Sequence, residues 1–403
     1  MGADILDSRY SWTRLGLSML IGLIGNVGMW VVIVVMPAVQ SEFGLDRAEA
    51  SYPYILTMVG FALGNFLIGT IVDRVGITWA LSASAILIGA GFALAAVSPT
   101  VFVLSALHLL IGLGTAASFG PLIADVSLWF LKRRGIAVAI TASANYLSGA
   151  FWPVVLADFQ AGHGWRGVYL LLAMICSVSV LLLAQLLRRR VPLEATARSD
   201  AASSARAQSS GFSHTKLVIL LGLAGIGCCV AMSMPQVHIV SFCVDLGYGP
   251  AVGAEMLSLM LLGGVASRLI SGLLSDRLGG LRTLLIGSTL QMLALFLYLP
   301  FDGLVSLYVV STIFGLAQGG IVPSYAVIVR EYMPAKEAGS RVGFVLMTTV
   351  IGMALGGWMS GWIYDVTGSY QMAFWNGIGW NLLNILIAMT ILFRSIRPAP
   401  LPA

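Results

Sequence analysis

Charge is what this sequence has least of. Asp, Glu, Lys and Arg together make up 10% of its 403 residues, against about 25% in a soluble globular domain. That scarcity excludes an ordinary water-soluble fold, and hydrophobic residues, at 58%, stand where the charge is missing. Cysteine is scarce too: Cys176, Cys228, Cys229 and Cys243 lie in or at the ends of apolar segments, so no disulfide framework is expected. The chain has no H-E-x-x-H, no G-x-x-x-x-G-K-[ST] and no G-x-S-x-G. These absences remove metalloprotease, ATP-driven and α/β-hydrolase chemistry, and the chain is read as not an enzyme, with no cofactor and no metal site. The glycine-rich stretches "LIGLIGNVG" (20–28) and "FGLAQGG" (314–320) follow no β-strand, which excludes a soluble phosphate-binding loop.

What the sequence does have is apolar length. Runs able to cross roughly 30 Å of hydrocarbon, about 20 residues each, recur at 15–39, 51–72, 77–97, 101–127, 135–159, 166–187, 216–242, 251–274, 281–300, 303–328, 340–363 and 371–393. The polar–apolar alternation of membrane-barrel strands is not among them. The first run is longer than the 7–15 apolar residues of a signal-peptide core and reads as a retained helix. The expected fold is an all-α integral membrane protein with twelve transmembrane helices in two six-helix bundles. Between the sixth and seventh runs lies "RRRVPLEATARSDAASSARAQSSGFSH", rich in Ala, Ser and Arg without apolar periodicity, which reads as a flexible linker. The domains expected are residues 1–188, a cytoplasmic linker at 189–214, and 215–403.

Orientation follows from the basic residues. With both termini and the linker in the cytoplasm, all of the 22 lysines and arginines fall inside except Arg47, Arg166 and the intramembrane Arg268. This is the positive-inside bias. It explains the net charge of +5 without a nucleic-acid partner, leaving the lipid bilayer as the surrounding medium.

The two halves repeat. "GTIVDRVG" (69–76) and "GLLSDRLG" (272–279) share Gly-x-x-x-Asp-Arg-x-Gly at an offset of 203, and Gly112 meets Gly315 at that same offset. Parallel repeats of this kind are one way transporters build a site near the bilayer midplane.

These residues resemble the major facilitator superfamily, in which the Gly-x-x-x-Asp-Arg-x-Gly pattern lies between helices 2 and 3 and again between helices 8 and 9. By that resemblance Gly69, Asp73, Arg74, Gly272, Asp276 and Arg277 are gate elements rather than substrate ligands. Ile77–Thr78 departs from the further basic residues usual in the first loop. A finer resemblance is to the bacterial oxalate/formate antiporter and monocarboxylate porter branch. It rests on "WFLKRRGIAVAI" (129–140), "GWRGVYLL" (164–171), "VHIVSFCVDLG" (237–247) and "ASRLISGLLSDRLGG", with an arginine eight residues before the motif aspartate. That branch carries small organic anions, and the resemblance implies that Arg268 faces the substrate. Gly264 stands where proton-linked animal members often have aspartate, and 342–363 lacks the lysine of a two-cation oxalate site.

Arg268 is the central candidate on physical grounds as well. A charge at the centre of a membrane helix costs roughly 2.5 kcal/mol or more. Eight residues from Asp276 is about 12 Å along a helix, which puts Arg268 near the midplane. Gly264, Ser271 and Gly272 share its face, leaving space for a guanidinium and its ligand or letting helices pack closely. Asp125 and Asp158 fall toward helix ends and Glu255 near the start of the eighth run, so the simplest counter-charge is a visiting carboxylate, which a guanidinium meets bidentately. The other reading is a structural arginine bonded to carbonyls or to a buried acid. No other cation is placed within the inner two-thirds of a run.

Further substrate-binding candidates are Asn65, which occupies the position equivalent to Arg268, and Asn26, Asn145, Tyr146 and Asn381, with Asn384 beside it. Each also reads as interhelical glue. Phe119, Tyr325 and Trp380 are candidate walls that also read as packing. Asp125 is expected to form a gate salt bridge with Lys132, Arg133 or Arg134, the alternative being proton carriage. His238 is either a titrating coupling residue or a hydrogen-bonded helix-end histidine, and His108 is expected to bond a neighbouring helix.

The expected function is secondary active transport of a small organic monoanion, a lactate-like monocarboxylate. It is expected to be proton-coupled or exchanging, by alternating access, in a monomer of the bacterial inner membrane. A drug or neutral-solute transporter with a structural Arg268 is the alternative. A non-transporting membrane sensor is a further one, disfavoured because the linker is the only sizeable soluble stretch.

Overall fold

The computed structural model describes residues 5–45, 47–192, 197, 200–201, 203–204 and 211–396. The remaining linker positions, 193–196, 198–199, 202 and 205–210, lie outside the described residues. Among the described residues every regular element is a helix. In the first half the main ones are α1 (Arg9–Gly25), α2 (Val27–Phe43), α3 (Tyr52–Val75), α4 (Ile77–Ala95), α5 (Val101–Thr115), α6 (Gly120–Trp129), α7 (Arg134–Ile175) and α8 (Leu181–Gln185), besides the short helical turns Arg47–Ala50 and Cys176–Val180. In the second half they are α9 (His214–Asp245), α10 (Pro250–Leu278), α11 (Gly280–Leu297), α12 (Leu304–Gln318), α13 (Ile321–Tyr332), α14 (Ala338–Thr367) and α15 (Gln371–Ile396).

Eleven helical stretches among the described residues are long and apolar enough to cross a membrane. The predicted run 135–159 is helical, inside α7, but is not one of the eleven. Its Thr141, Ser143, Asn145, Tyr146 and Ser148 dilute its apolar character. α7 joins this run to the next and turns at Gly164, whose φ of +67° falls in a region that glycine adopts readily.

Three runs read as continuous are interrupted. The first breaks at Asn26, between α1 and α2. The fourth breaks at a 3-10 turn, Ala116–Ser118, followed by Phe119 at φ −126° and ψ −92°. The tenth breaks at Gly319–Gly320, between α12 and α13. In hydrocarbon each break frees backbone groups that no water can satisfy, at several kcal/mol apiece if left unpaired. Polar side chains must therefore come to the breaks, and they define the sites described below.

The chain forms two compact units. The first comprises 1–131, 140–196 and 336–347; the second comprises 132–139, 197–335 and 348–403. In the first, Val31, Ile88, Phe92, Leu104 and Tyr169 pack in a buried cluster. In the second, α10 lies against α12 at glycine contacts: a Cβ at Gly319 would come within 2.1 Å of the Gly264 carbonyl, and one at Gly315 within 2.5 Å of that of Met260. Lipid is as apolar as leucine, so such close approach, rather than a hydrophobic drive, holds membrane helices together.

Candidate functional site

The interruptions gather the polar residues. In the first unit, Asn26 sits at its own break, donating from Nδ2 to Gly22 O (2.7 Å) and to Ser118 O (3.1 Å) in the other break of that unit. Asn145 Nδ2 donates to Asn26 Oδ1 at 3.1 Å. Asn65 Nδ2 donates to Phe61 O at 2.8 Å, and its Oδ1 accepts the Gly120 N–H at 3.0 Å, closing the first turn of α6. Phe119 is buried, its ring 5.7 Å from that of Phe61. Tyr146 is half-buried one residue beyond Asn145.

In the second unit, Arg268 lies within α10 with 3% of its surface exposed. Its Nε donates to Gly319 O at 3.2 Å, the carbonyl freed where α12 ends. Gly264 and Ser271, read as leaving room beside the guanidinium, are taken up in packing against Gly319 and Gly320, and Gly272 packs against Ala139 and Gly135. Tyr325, Asn381 and Asn384 form a separate buried chain: Tyr325 donates its hydroxyl hydrogen to Asn384 Oδ1 (2.9 Å), Asn384 Nδ2 donates to Ser288 Oγ (2.7 Å), and Asn381 Nδ2 donates to Ser288 O (2.8 Å). Trp380 is half-buried beside α9, its carbonyl 2.7 Å from where a Gly227 Cβ would be.

Gln318, the last residue of α12, had no place in the sequence reading. It is fully buried, and neither its Oε1 nor its Nε2 has a hydrogen-bond partner among the described residues. Its position immediately before the Gly-Gly break was the available signal.

The two Gly-x-x-x-Asp motifs work alike. Asp73 accepts the N–H groups of Gly339 and Ser340, both at 2.7 Å, at the start of α14. Asp276 accepts those of Gly135 (2.5 Å) and Ile136 (3.1 Å) at the start of α7. Each carboxylate caps the positive end of a helix other than its own. The glycine one turn earlier makes this reachable: a Cβ at Gly69 would lie 2.3 Å from Gly339 O, and one at Gly272 would lie 2.9 Å from Gly135 O. Arg74 and Arg277 are exposed at the ends of α3 and α10.

Asp125 has a different partner from the one expected. It pairs with Arg14 of α1, Nε to Oδ2 at 2.9 Å and NH2 to Oδ1 at 3.0 Å, while Arg14 NH1 reaches the carbonyls of Leu187 and Arg189. The basic cluster lies seven or more residues further along the chain, whereas α1 packs directly on α6. Arg14 and Arg330 are buried as well, at 2% and 1% exposed, but outside the inner two-thirds of any run. Both sit near helix ends, where backbone carbonyls are free to receive them: Arg330 donates to Met333 O at 2.7 Å.

His238 is half-buried, its Nε2 on Gly357 O at 2.8 Å and its Nδ1 3.3 Å from the Tyr370 hydroxyl. A carbonyl only accepts, so Nε2 carries hydrogen and donates to Gly357 O. His108 is buried between Thr57 Oγ1 (2.8 Å) and the Tyr169 hydroxyl (2.7 Å), bonding both neighbouring helices.

Duplicated, interrupted spans with polar side chains at each interruption are the architecture of a multi-pass membrane transporter. The sequence matches the profile of the Major Facilitator Superfamily over residues 18–304 and 241–403, and the chain belongs to that family. It is 27% identical over 271 residues to monocarboxylate transporter 13 of Rattus norvegicus, covering 66% of this chain and 61%, under two thirds, of that relative's length. Its fold superimposes on the E. coli fucose:proton symporter FucP (TM-score 0.71, 15% identity, 96% of this chain and 99% of that one). It does so also on the human organic anion transporter MFSD10 (TM-score 0.73, 15% identity, 95% and 99%).

Proposed function

We propose that this transporter moves a small organic monoanion, a lactate-like monocarboxylate, with Arg268 as its principal ligand. One observation carries the reading: Arg268 repairs a helix break that the first half repairs, at the equivalent position, with the neutral Asn65. Where the first half uses a neutral amide, the second uses a buried cation. A guanidinium's charge and planar fork suit a carboxylate, next to a break where α13 begins and its helix dipole favours an anion. Similarity to a relative named as a monocarboxylate transporter supports the same substrate class.

The substrate is moved by alternating access, coupled to protons or to exchange, in a monomer of the bacterial inner membrane with termini and linker cytoplasmic, as the arginine and lysine bias requires. Residues 1–188 and 215–403 act as the two moving halves. The Asp73 and Asp276 caps act as gate elements, and their release is part of the cycle. Asn26, Asn65, Asn145, Tyr146, Phe119, Tyr325, Asn381, Trp380 and Gln318 are secondary candidates for the pathway. Uptake by reconstituted vesicles across a panel of carboxylates, with and without a proton gradient, tests the proposal. Monocarboxylate uptake that Arg268→Ala abolishes is expected, and uptake of neutral solutes alone would overturn it. The second reading, neutral-solute or drug transport with a structural arginine, draws on the Gly319 bond itself.

A further inference from the structure

On one flank of the first unit, helices α3, α4 and α5 leave an open groove of about 800 Å3. Its walls are apolar, among them Ile71, Leu87 and Leu113, and Trp79 stands at it 72% exposed. At the end where α3 stops, two arginines, Arg74 and Arg190, line the same groove. Arg190 is held in place by donating to Val75 O, the carbonyl after Arg74. Neither arginine forms an ion pair among the described residues.

We propose that this groove binds an anionic glycerophospholipid, its phosphate at Arg74 and Arg190 and one acyl chain along the wall toward Leu87 and Leu113. The chemistry is complementary at both ends. Two adjacent cations that lack a carboxylate attract an anion, and arginine presents a fork suited to phosphate oxygens. The apolar wall begins where a headgroup's acyl chain would start, at the helix ends, the depth at which basic and tryptophan side chains mark the membrane interface. Free phosphate would satisfy the arginines but leave the wall unused, and a zwitterionic lipid would use the wall but bring a choline cation to two guanidiniums. The inference is independent of the substrate proposal, since the groove residues belong to the first unit and Arg268 and its break to the second.

Trp79 supplies the readout. The full-length protein in detergent is titrated with phosphatidylglycerol or phosphatidylcholine carrying brominated chains, and the Trp79 signal is isolated by subtracting the Trp79→Phe variant. Brominated phosphatidylglycerol should quench Trp79 at severalfold lower concentration than brominated phosphatidylcholine. Arg74→Gln and Arg190→Gln should each raise that concentration about fivefold, the worth of one basic side chain near an anionic lipid. Arg190→Lys should keep most of the preference. Ala83→Phe, which leaves both arginines intact and fills the groove, should weaken quenching by the two lipids alike, and it guards against a fold defect in the arginine variants. Equal quenching by both lipids in the unaltered protein would overturn the proposal, as would relief of phosphatidylglycerol quenching by millimolar inorganic phosphate.

Discussion

Asn65 and Arg268 occupy the same place in the two repeats and do the same local job with different chemistry. Each reaches from the second helix of its repeat to the interruption in the fourth: Asn65 accepts the Gly120 N–H, and Arg268 donates to Gly319 O. The requirement comes from the bilayer, because a broken helix exposes backbone groups that hydrocarbon cannot satisfy. A neutral amide meets it in the first half at no cost in charge. The second half meets it with an ion whose burial costs a few kcal/mol, and the proposed function rests on that difference.

The comparison breaks most visibly at Arg268. Removing one partner of a buried, hydrogen-bonded charge pair costs about 2–5 kcal/mol, so Arg268→Ala should lower carboxylate affinity by roughly thirtyfold to several thousandfold. Lysine keeps the charge without the fork and should fall between. Binding measured by competition in detergent, with membrane insertion checked alongside, reports both.

The partner substitution sharpens the contrast. Asn65→Ala leaves the Gly120 N–H unsatisfied, a loss of about 1–3 kcal/mol. It should appear as a lowered thermal unfolding temperature, with substrate preference unchanged. An Asn65→Ala protein that unfolds normally but rejects monocarboxylates would make Asn65 a ligand and the two positions functionally alike.

A single cation at the break also sets a charge preference. A dicarboxylate would leave its second ion unpaired in low dielectric, at several kcal/mol, and neutral donors return only part of that. A monocarboxylate should win over the matching dicarboxylate by about tenfold or more at neutral pH. The gap should narrow toward pH ~4, where the second carboxyl takes up a proton. Competition by a matched pair at both pH values checks this.

The smallest effects belong to the caps, where the halves agree. Asp73→Asn or Asp276→Asn keeps an oxygen acceptor and loses the charge, worth about 0.3–1 kcal/mol at a helix N-terminus. Turnover in vesicles should change about two- to fivefold, with apparent affinity little altered. An equal loss in affinity would move these aspartates into the substrate site.

The helices, the repeat and the Gly-x-x-x-Asp spacing were legible in the sequence because each follows from local pattern: apolar length, a constant offset, and a carboxylate one turn beyond a glycine. The caps' recipients were not, since Gly339 and Gly135 carry no distinctive side chain. The interruptions were written in "LIGLIGNVG", "GLGTAASFGP" and "FGLAQGG", but glycine in a membrane helix signals close packing as readily as a break. Arg268 stood out by its cost and by its place eight residues before the motif aspartate, while its carbonyl partner required the break to be seen first. Asp125 was assigned to the basic cluster because sequence nearness favours it; only the packing of α1 on α6 brings Arg14 to it. Gln318 escaped notice because a lone glutamine beside a Gly-Gly pair looks like an ordinary turn.

The most direct test is to give the second half the first half's solution. Arg268→Gln should still insert and unfold within a few degrees of the unaltered protein, since a glutamine amide nitrogen stands at the depth of the arginine Nε that donates to Gly319 O. Monocarboxylate uptake in reconstituted vesicles should nevertheless fall to background. Uptake at the unaltered rate by Arg268→Gln would contradict the account and make Arg268 a structural residue.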